Sequence, residues 1–265
     1  MAAVAISGTT PAAFSGKAPL PHSRHRFIVS AHRGSHLLLP ENTLASTLGA
    51  IKAGVDYVEV DLRTTKDGFL VLSHDNTVDR MTDGKGKVSD LTLKQIKQLR
   101  VISPDSTDKR VYRVPEFADL LKLCKGRINI YLDFKDADVP ETYRQLVAAG
   151  MEKQVVVYLN KPGQYEAWRK AAPRMPLMRS VPDSIKTPAQ LRDYLSRVQI
   201  EVLDNVYDTA GLAITRQFGV AVWVDVQTRE EGPALWKETM EKGVQGMQTD
   251  HPEELMRYLR SSDRK

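Results

Sequence analysis

The chain has 265 residues, of which 42 % are hydrophobic and 27 % are charged, and this ordinary composition excludes a disordered, collagenous or coiled-coil protein. Its apolar runs fall far short of the roughly 18–20 residues that a membrane-spanning helix needs, and one cysteine, Cys124, excludes an internal disulfide or a cysteine-based zinc site. The net charge of +5 arises mainly in the first 40 residues, with four basic and no acidic residues, so the remainder gives no support to a nucleic-acid partner.

The first 26 residues are rich in Ala, Ser, Thr, Gly and Pro and show neither helical nor strand periodicity. Three interpretations remain open for this segment. It is the remnant of an export signal of a periplasmic or secreted protein, an organelle transit peptide, or a disordered tail of a cytoplasmic protein. We therefore place the folded domain at residues 27–265.

From residue 27 onward, short β-branched apolar runs alternate with longer segments of helical period, which is typical of a parallel sheet covered by helices. The predicted strands span residues 27–31, 57–62, 69–73, 128–134, 155–159, 177–179, 200–203, 221–226 and 246–248. The predicted helices span residues 43–53, 117–124, 141–149, 164–172, 188–198, 210–218, 231–242 and 253–259. The pattern predicts an α/β protein, a TIM (β/α)8 barrel with one strand too many. The surplus strand is near Leu177 or Ile200, or one of the two strands flanking the turn at 66–68 is irregular.

The stretch from residue 76 to residue 113 interrupts this alternation. It is polar, contains Gly84, Gly86 and Pro104, and has one helical signal over residues 91–99. We interpret it as a small insertion after the third strand, lying over one end of the barrel.

Polar residues collect at the predicted carboxyl ends of the first four strands, where TIM barrels place their reactive groups. Taken alone, each has a structural explanation, such as a hydrogen-bonded histidine, a solvated strand end or an ion pair. Together they form a chemically coherent set: His32 and Arg33, Glu59 and Asp61, His74 and Asp75, Asp133 and Lys135.

The set suits the cleavage of a phosphodiester. The carboxylates Glu59, Asp61 and Asp133 are hard oxygen ligands suited to Mg²⁺ or Ca²⁺. Arg33 and Lys135 are cations that can hold phosphoryl oxygens, and two histidines can divide the proton transfers between nucleophile and leaving group. The sequence therefore predicts metal-assisted phosphodiester hydrolysis, with a small-molecule phosphodiester as the partner.

Several of these residues lie in longer motifs that resemble the glycerophosphodiester phosphodiesterase family, which has a PI-PLC-like phosphodiesterase barrel. Residues 31–43, AHRGSHLLLPENT, are similar to its HRG and PENT motifs, and residues 58–68, VEVDLRTTKDG, to its ExD segment and the turn that follows. The HD pair stands at 74–75, and the closing segment GMQTDHP at 246–252 is similar to the family's last motif. The resemblance covers nearly everything from residue 27 to residue 259.

The resemblance implies a TIM-barrel enzyme that uses a divalent metal to hydrolyse glycerophosphodiesters to sn-glycerol 3-phosphate and an alcohol. It assigns His32 and His74 as the acid/base pair and Glu59 and Asp61 as metal ligands. It also implies that Arg33 and Lys135 contact the phosphate and that Trp223 lines the substrate pocket. An aromatic residue on the penultimate strand is, however, as often part of the core. Glu41 and Asn42 resemble supports of the first loop.

Two departures from the family pattern bear on the site. Asp133 stands where most members have Glu, which shortens its reach by about 1.5 Å and bears on the choice between Mg²⁺ and Ca²⁺. Asp225 stands where the family usually has Asn.

Two alternative functions remain. One is the same barrel acting on lysophospholipids or other diesters, as in the sphingomyelinase D-like phospholipases, and the other is a non-catalytic phosphodiester-binding barrel. The alcohol, the oligomeric state and the choice between attack by water and a cyclic phosphate stay open.

Overall fold

The computed structural model describes residues 17–262, and within them eight parallel strands close into a barrel. The barrel strands are β1 Ile28–Ala31, β2 Tyr57–Thr64, β4 Asn129–Phe134, β5 Val155–Leu159, β6 Leu177–Arg179, β7 Val202–Leu203, β8 Ala221–Asp225 and β9 Gly246–Thr249. Each is paired with its neighbour along the chain, and β1 closes the ring by pairing with both β9 and β2. The TIM barrel predicted from the sequence is confirmed.

Nine α-helices lie within the described residues, together with one short 3₁₀ helix, Val88–Asp90. The α-helices are α1 Leu44–Ala53, α2 Leu93–Ile96, α3 Phe117–Cys124, α4 Val139–Ala149, α5 Gln164–Ala171, α6 Pro188–Arg197, α7 Thr209–Gln217, α8 Pro233–Glu241 and α9 Pro252–Ser262. Several begin at side chains that satisfy free backbone N–H groups: Thr43 forms a capping box with Ser46, and Asp138 accepts a hydrogen bond from Glu141 N. Within residues 17–262, no helix combines the length and apolarity needed to cross a bilayer.

Alternation along the strands divides the core into two parts. Outward-facing strand residues such as Val58 and Val60 pack with the helices in one large cluster, which also buries Cys124. Inward-facing residues form a smaller cluster inside the barrel: Ile28, Tyr57, Tyr131, Val156, Met178, Val202 and Trp223. Because side chains alternate, the next inward positions toward the carboxyl ends of the strands are the polar residues of the barrel mouth.

The surplus strand is β3, Leu70–Leu72. It pairs antiparallel with the C-terminal end of β2 and is not a barrel strand. The irregular pair flanking the turn at 66–68 is therefore the correct alternative, and a surplus near Leu177 or Ile200 is wrong. Gly68 (φ +85°) allows the turn, and β3 then runs back to the mouth, where Ser73 N donates to Asp61 O at 3.0 Å. His74, which follows β3, therefore lies at the same rim as the carboxyl ends of the parallel strands, although β3 runs in the opposite direction.

The stretch at 76–113 packs against β3 through its own small cluster, which includes Val78, Val88 and Ile96. The predicted helix over residues 91–99 is shorter than expected. A capping box of Thr92 and Gln95 starts α2, but Gln98 and Leu99 donate to carbonyls only three residues back, so the helix ends in a tighter turn.

The chain from residue 17 to residue 26 packs across the opposite end of the barrel, so the packed structure begins earlier than the boundary at residue 27. Pro21 O accepts from Tyr57 Oη at 3.4 Å, and His22 O accepts from Asn129 Nδ2 at 2.8 Å. The buried Asp56 carboxylate accepts from the backbone N–H groups of Arg24 and His25. The targeting interpretations fall chiefly on residues 1–16, which lie outside the described residues.

Candidate active site at the barrel mouth

Three carboxylates meet at the mouth, two from β2 and one from β4. Asp61 and Asp133 are direct partners in the pairing of these strands, and Glu59 is on the same face of β2. One oxygen each of Glu59, Asp61 and Asp133 lies within 4.8 Å of the others. This donor set could hold a divalent cation with hard-ligand preference, such as Mg²⁺ or Ca²⁺, with coordination positions left for water or a substrate oxygen.

The electrostatics of the cluster favour a bound cation. Burial, together with the charges of Asp61 and Asp133, raises the pKa of Glu59 well above its usual range. Burial and the Asp61 charge likewise raise the pKa of Asp133. Burial acts in the same sense on Asp61, but Lys135, the Asn42 amide and nearby cations outweigh it and lower its pKa. A divalent ion would relieve the repulsion among the three groups.

Two cations border the carboxylates. Lys135 Nζ lies 2.5 Å from Asp133 Oδ2 and 3.1 Å from Asp61 Oδ1. Arg33 uses Nη1 to bond Glu41 Oε1 at 3.0 Å, and its Nε lies 3.7 Å from Asp61 Oδ2. Burial alone would lower the pKa of Lys135, but the Asp61 and Asp133 charges raise it, so the ammonium stays protonated. Both cations can contact a phosphate bound next to the carboxylate cluster.

The loop after β1 holds this arrangement in an unusual backbone conformation. Arg33 (φ +51°) and Asn42 (φ +54°) are the positive-φ residues other than glycine among the described residues. Arg33 N donates to Glu59 Oε2 at 2.7 Å, and the Asn42 amide brackets Asp61, donating to Oδ2 at 2.7 Å and accepting from its backbone N at 3.0 Å. The loop therefore orients two of the three carboxylates, and Asn42 supports Asp61.

Each predicted acid/base histidine is paired with an aspartate. His32 Nδ1 lies 2.7 Å from Asp250 Oδ1, and His74 Nδ1 lies 2.7 Å from Asp75 Oδ1. Since an ionised carboxylate accepts only, each Nδ1 is assigned the proton, and each Nε2 is left to accept one. Arg80 lowers the pKa of Asp75, although burial opposes this, so Asp75 is ionised. The sequence missed Asp250 as the partner of His32, although it lies in the closing motif.

The opposite wall of the mouth is rich in acceptors. Ser180 Oγ bonds Tyr158 Oη at 2.8 Å and donates to Asp204 Oδ2 at 3.1 Å, and Gln248 Nε2 donates to Asp225 Oδ1 at 3.2 Å. Asp204 Oδ1 and Gln248 Oε1 are buried with no hydrogen-bond partner. Asp225 is solvent-exposed at the rim, but the protein atoms crowded around its carboxyl, followed by the charges of Asp204, Asp133 and Asp250, raise its pKa to about 7. This wall is suited to hydrogen-bond donors of a substrate.

Trp223 lies deeper than the residues just described. It is 3 % exposed, belongs to the barrel interior and packs against Tyr57 with ring centroids 4.9 Å apart. It precedes Asp225 by two residues on β8, and thus stands one inward-facing position below the mouth. Its contact with substrate stays a prediction, while its packing role is visible.

Gly34→Ala is expected to destabilise the protein by about 2–4 kcal/mol and to lower activity, because this loop positions His32 and Arg33. A Cβ on Gly34 (φ +84°) would lie 2.6 Å from the backbone carbon of Ser46. Chemical denaturation measures the loss. Gly68→Ala is the matched control, since Gly68 has the same backbone region (φ +85°) with nothing within 4 Å of the added Cβ, and only about 1–2 kcal/mol is expected. Equal losses at the two positions would contradict the steric argument.

A closed parallel barrel whose mouth joins clustered carboxylates, two cations and two histidine–aspartate pairs defines a TIM barrel suited to phosphate-ester chemistry. Residues 32–254 match the glycerophosphoryl diester phosphodiesterase family, and the chain belongs to that family.

Curated relatives agree with this membership. The chain is 34 % identical over 164 residues to a glycerophosphodiester phosphodiesterase of Bacillus subtilis, covering 58 % of this chain and 56 % of the relative. It is 34 % identical over 152 residues to human glycerophosphodiester phosphodiesterase 1, covering 57 % of this chain and 39 % of the relative. The matches thus span about half or less of these relatives' lengths.

Two solved structures share the fold. A glycerophosphodiester phosphodiesterase of Agrobacterium tumefaciens superposes with a TM-score of 0.77 at 23 % identity, covering 87 % of this chain and 99 % of that one. An Oleispira antarctica phosphodiesterase in complex with the product sn-glycerol-3-phosphate superposes with a TM-score of 0.72 at 20 % identity. The superposition covers 88 % of this chain and 96 % of that one.

Proposed function

We propose that the protein hydrolyses glycerophosphodiesters to sn-glycerol 3-phosphate and an alcohol. The observation that supports this most directly is the meeting of Glu59, Asp61 and Asp133 with Lys135 and Arg33 at the carboxyl end of the barrel. Family membership and the product named for the Oleispira neighbour favour the same substrate class.

A divalent ion, Mg²⁺ or Ca²⁺, would be held by Glu59, Asp61 and Asp133, and would supply Lewis-acid stabilisation of phosphoryl charge. Lys135 and Arg33 bind phosphoryl oxygens and stabilise the charge that develops as the bond to the leaving oxygen lengthens. Asn160 Nδ2, 2.5 Å from Asp133 Oδ1, holds the shorter aspartate in place together with Lys135.

The two histidines transfer the protons. One accepts, at Nε2, the proton of the attacking hydroxyl, which belongs to water or to the glycerol moiety. The other, protonated on Nε2, donates its proton to the leaving alkoxide oxygen as the phosphorus–oxygen bond breaks. Asp250 and Asp75 hold the rings and stabilise the imidazolium of each pair.

Release of the alcohol from a panel of glycerophosphodiesters and lysophospholipids tests the proposal, with sn-glycerol 3-phosphate measured as the second product of the glycerophosphodiesters. The protein is assayed with EDTA, Mg²⁺ or Ca²⁺, beside Asp133→Ala and a surface control, Asp119→Asn, on the exposed face of α3. We expect activity that EDTA and Asp133→Ala abolish and that Asp119→Asn retains. Cleavage of lysophospholipids alone would move the assignment to the other diesters, and binding without turnover would favour the non-catalytic barrel.

Asp225 is expected to make substrate binding depend on pH. Since its pKa is raised to about 7, its carboxyl is largely protonated at about pH 6 and ionised at about pH 8, where it accepts hydrogen bonds from substrate hydroxyl or ammonium groups. We expect KM to fall by up to about tenfold over that interval. Asp225→Asn should flatten the dependence, and an unchanged KM profile in this variant would exclude the contact.

A further inference from the structure

A second group of side chains that could hold a metal ion lies near the barrel mouth. It consists of His32 and His36, on the loop after β1, and Asp250, directly after β9. One ligand atom of each lies within 4.8 Å of the others. The side chains are 17–28 % exposed, so an ion from solvent can reach them.

The contacts of His36 fix which of its ring nitrogens faces Asp250. His36 Nδ1 lies 2.8 Å from the carbonyl oxygen of His32, which can only accept, so Nδ1 is the protonated nitrogen. In a neutral imidazole Nε2 is then an acceptor, and it lies 3.7 Å from Asp250 Oδ1, another acceptor. Two acceptors facing each other at this distance repel each other unless a second proton on His36, a bridging water or a positive ion lies between them. Of these, only a metal ion would use both atoms as ligands.

The ligand set distinguishes this group from Glu59, Asp61 and Asp133. Two imidazoles and one carboxylate suit Zn²⁺ and related transition ions, whereas three carboxylates suit Mg²⁺ and Ca²⁺. In zinc sites the second ring nitrogen of a ligating histidine commonly donates to a backbone carbonyl, as His36 does here. Tetrahedral zinc ligands at about 2.0–2.1 Å stand about 3.3 Å apart. Asp250 Oδ1 lies 2.7 Å from His32 Nδ1, which is less than this distance, and 3.7 Å from His36 Nε2, which is more.

We infer that His32, His36 and Asp250 form an inhibitory Zn²⁺ site, with water as the fourth ligand. A zinc ion on His32 Nδ1 replaces the hydrogen bond to Asp250, and the proton of Nδ1 moves to Nε2. The ring then has no free nitrogen with which to accept a proton as the base, and it lacks the second proton of the imidazolium that the acid would donate. Inhibition rests on the proposed function, whereas zinc binding does not.

The experiment uses the full chain with saturating Mg²⁺ or Ca²⁺ and titrates ZnCl₂. Three proteins are compared: wild type, His36→Gln, and His251→Gln, which removes a neighbouring histidine outside the group. Calorimetry counts the zinc ions bound and gives their affinity, Co²⁺ absorption reports tetrahedral imidazole ligation, and the diesterase assay reports inhibition. Thermal unfolding verifies that each variant is folded, and His36→Asn is a second variant at that position.

We expect wild type and His251→Gln to bind one Zn²⁺ more than His36→Gln, or to bind it at least about tenfold more tightly. Without zinc, His36→Gln should hydrolyse substrate like wild type, and its inhibition should need about tenfold more zinc or more. Equal zinc binding and inhibition in wild type and His36→Gln would overturn the site. Absence of the additional ion in wild type would also overturn it. If no diester is hydrolysed, the binding data still decide the site, and the proposed function alone fails.

Discussion

Replacing His32 or His74 with alanine is expected to lower kcat for glycerophosphodiester hydrolysis by about 10²–10⁴-fold, the usual contribution of a positioned acid or base. KM should change little, because in the proposed mechanism Lys135, Arg33 and the cation hold the phosphate. The variants should still bind Mg²⁺ or Ca²⁺, since neither histidine belongs to the carboxylate cluster. Steady-state kinetics and a metal titration measure the two quantities separately.

The leaving group distinguishes the acid from the base. A glycerophosphodiester of a nitrophenol has a stable leaving anion and hardly needs a general acid, so it should restore most of the rate in the variant that lacks the acid. The variant that lacks the base should stay slow on both substrates. His22→Ala, at the far end of the barrel, is the control. Near-normal kcat in either active-site variant would contradict the two-histidine mechanism.

The register of the strands explains why much of the carboxylate site could be predicted. Glu59 and Asp61 are two apart on one strand, which places them on one face, and a parallel neighbour brings Asp133 directly opposite Asp61. Strand and helix periodicity sufficed to identify the barrel, so its rim could be inferred. Only local alternation and the fold class were needed for this part of the prediction.

His74 reaches the rim by a route that the alternation of strands and helices does not indicate. The sequence left open that one strand flanking the turn at 66–68 is irregular, but it did not indicate that β3 runs antiparallel to β2 and ends at the mouth because the hairpin folds back. Periodicity does not report strand direction, and the turn at 66–68 was the only local signal of it. His74 was therefore placed correctly for an incorrect reason.

The partners of the histidines show what sequence reasoning could not reach. Asp250 lies 218 positions from His32, and only closure of β9 against β1 brings them together. Asp204 follows a strand of two residues, too short for alternation to assign its face. Similarly, residues 17–26 lack periodicity because they pack through backbone carbonyls and N–H groups rather than through an apolar face.

Glu59→Gln is expected to abolish hydrolysis and at the same time to stabilise the metal-free protein. Folding raises the pKa of Glu59 above its value in the unfolded chain, so the ionised carboxylate destabilises the fold at pH 7. The metal-free protein should accordingly gain stability as the pH falls toward the ordinary range of a glutamate. Glutamine is always neutral and still accepts from Arg33 N, so the variant should gain on the order of 1 kcal/mol, or about 2–4 °C in Tm.

Thermal unfolding with EDTA and with saturating Mg²⁺ or Ca²⁺ separates the two effects. Wild type should gain stability from the cation because binding to the folded state alone shifts the equilibrium, and Glu59→Gln should lose most of that gain. Glu241→Gln, 67 % exposed on α8, should match wild type under both conditions. A lower Tm of Glu59→Gln in EDTA would mean that hydrogen bonding by the carboxylate outweighs its repulsion from Asp61 and Asp133. The three acids would then be a structural network rather than a site kept under electrostatic strain for a cation.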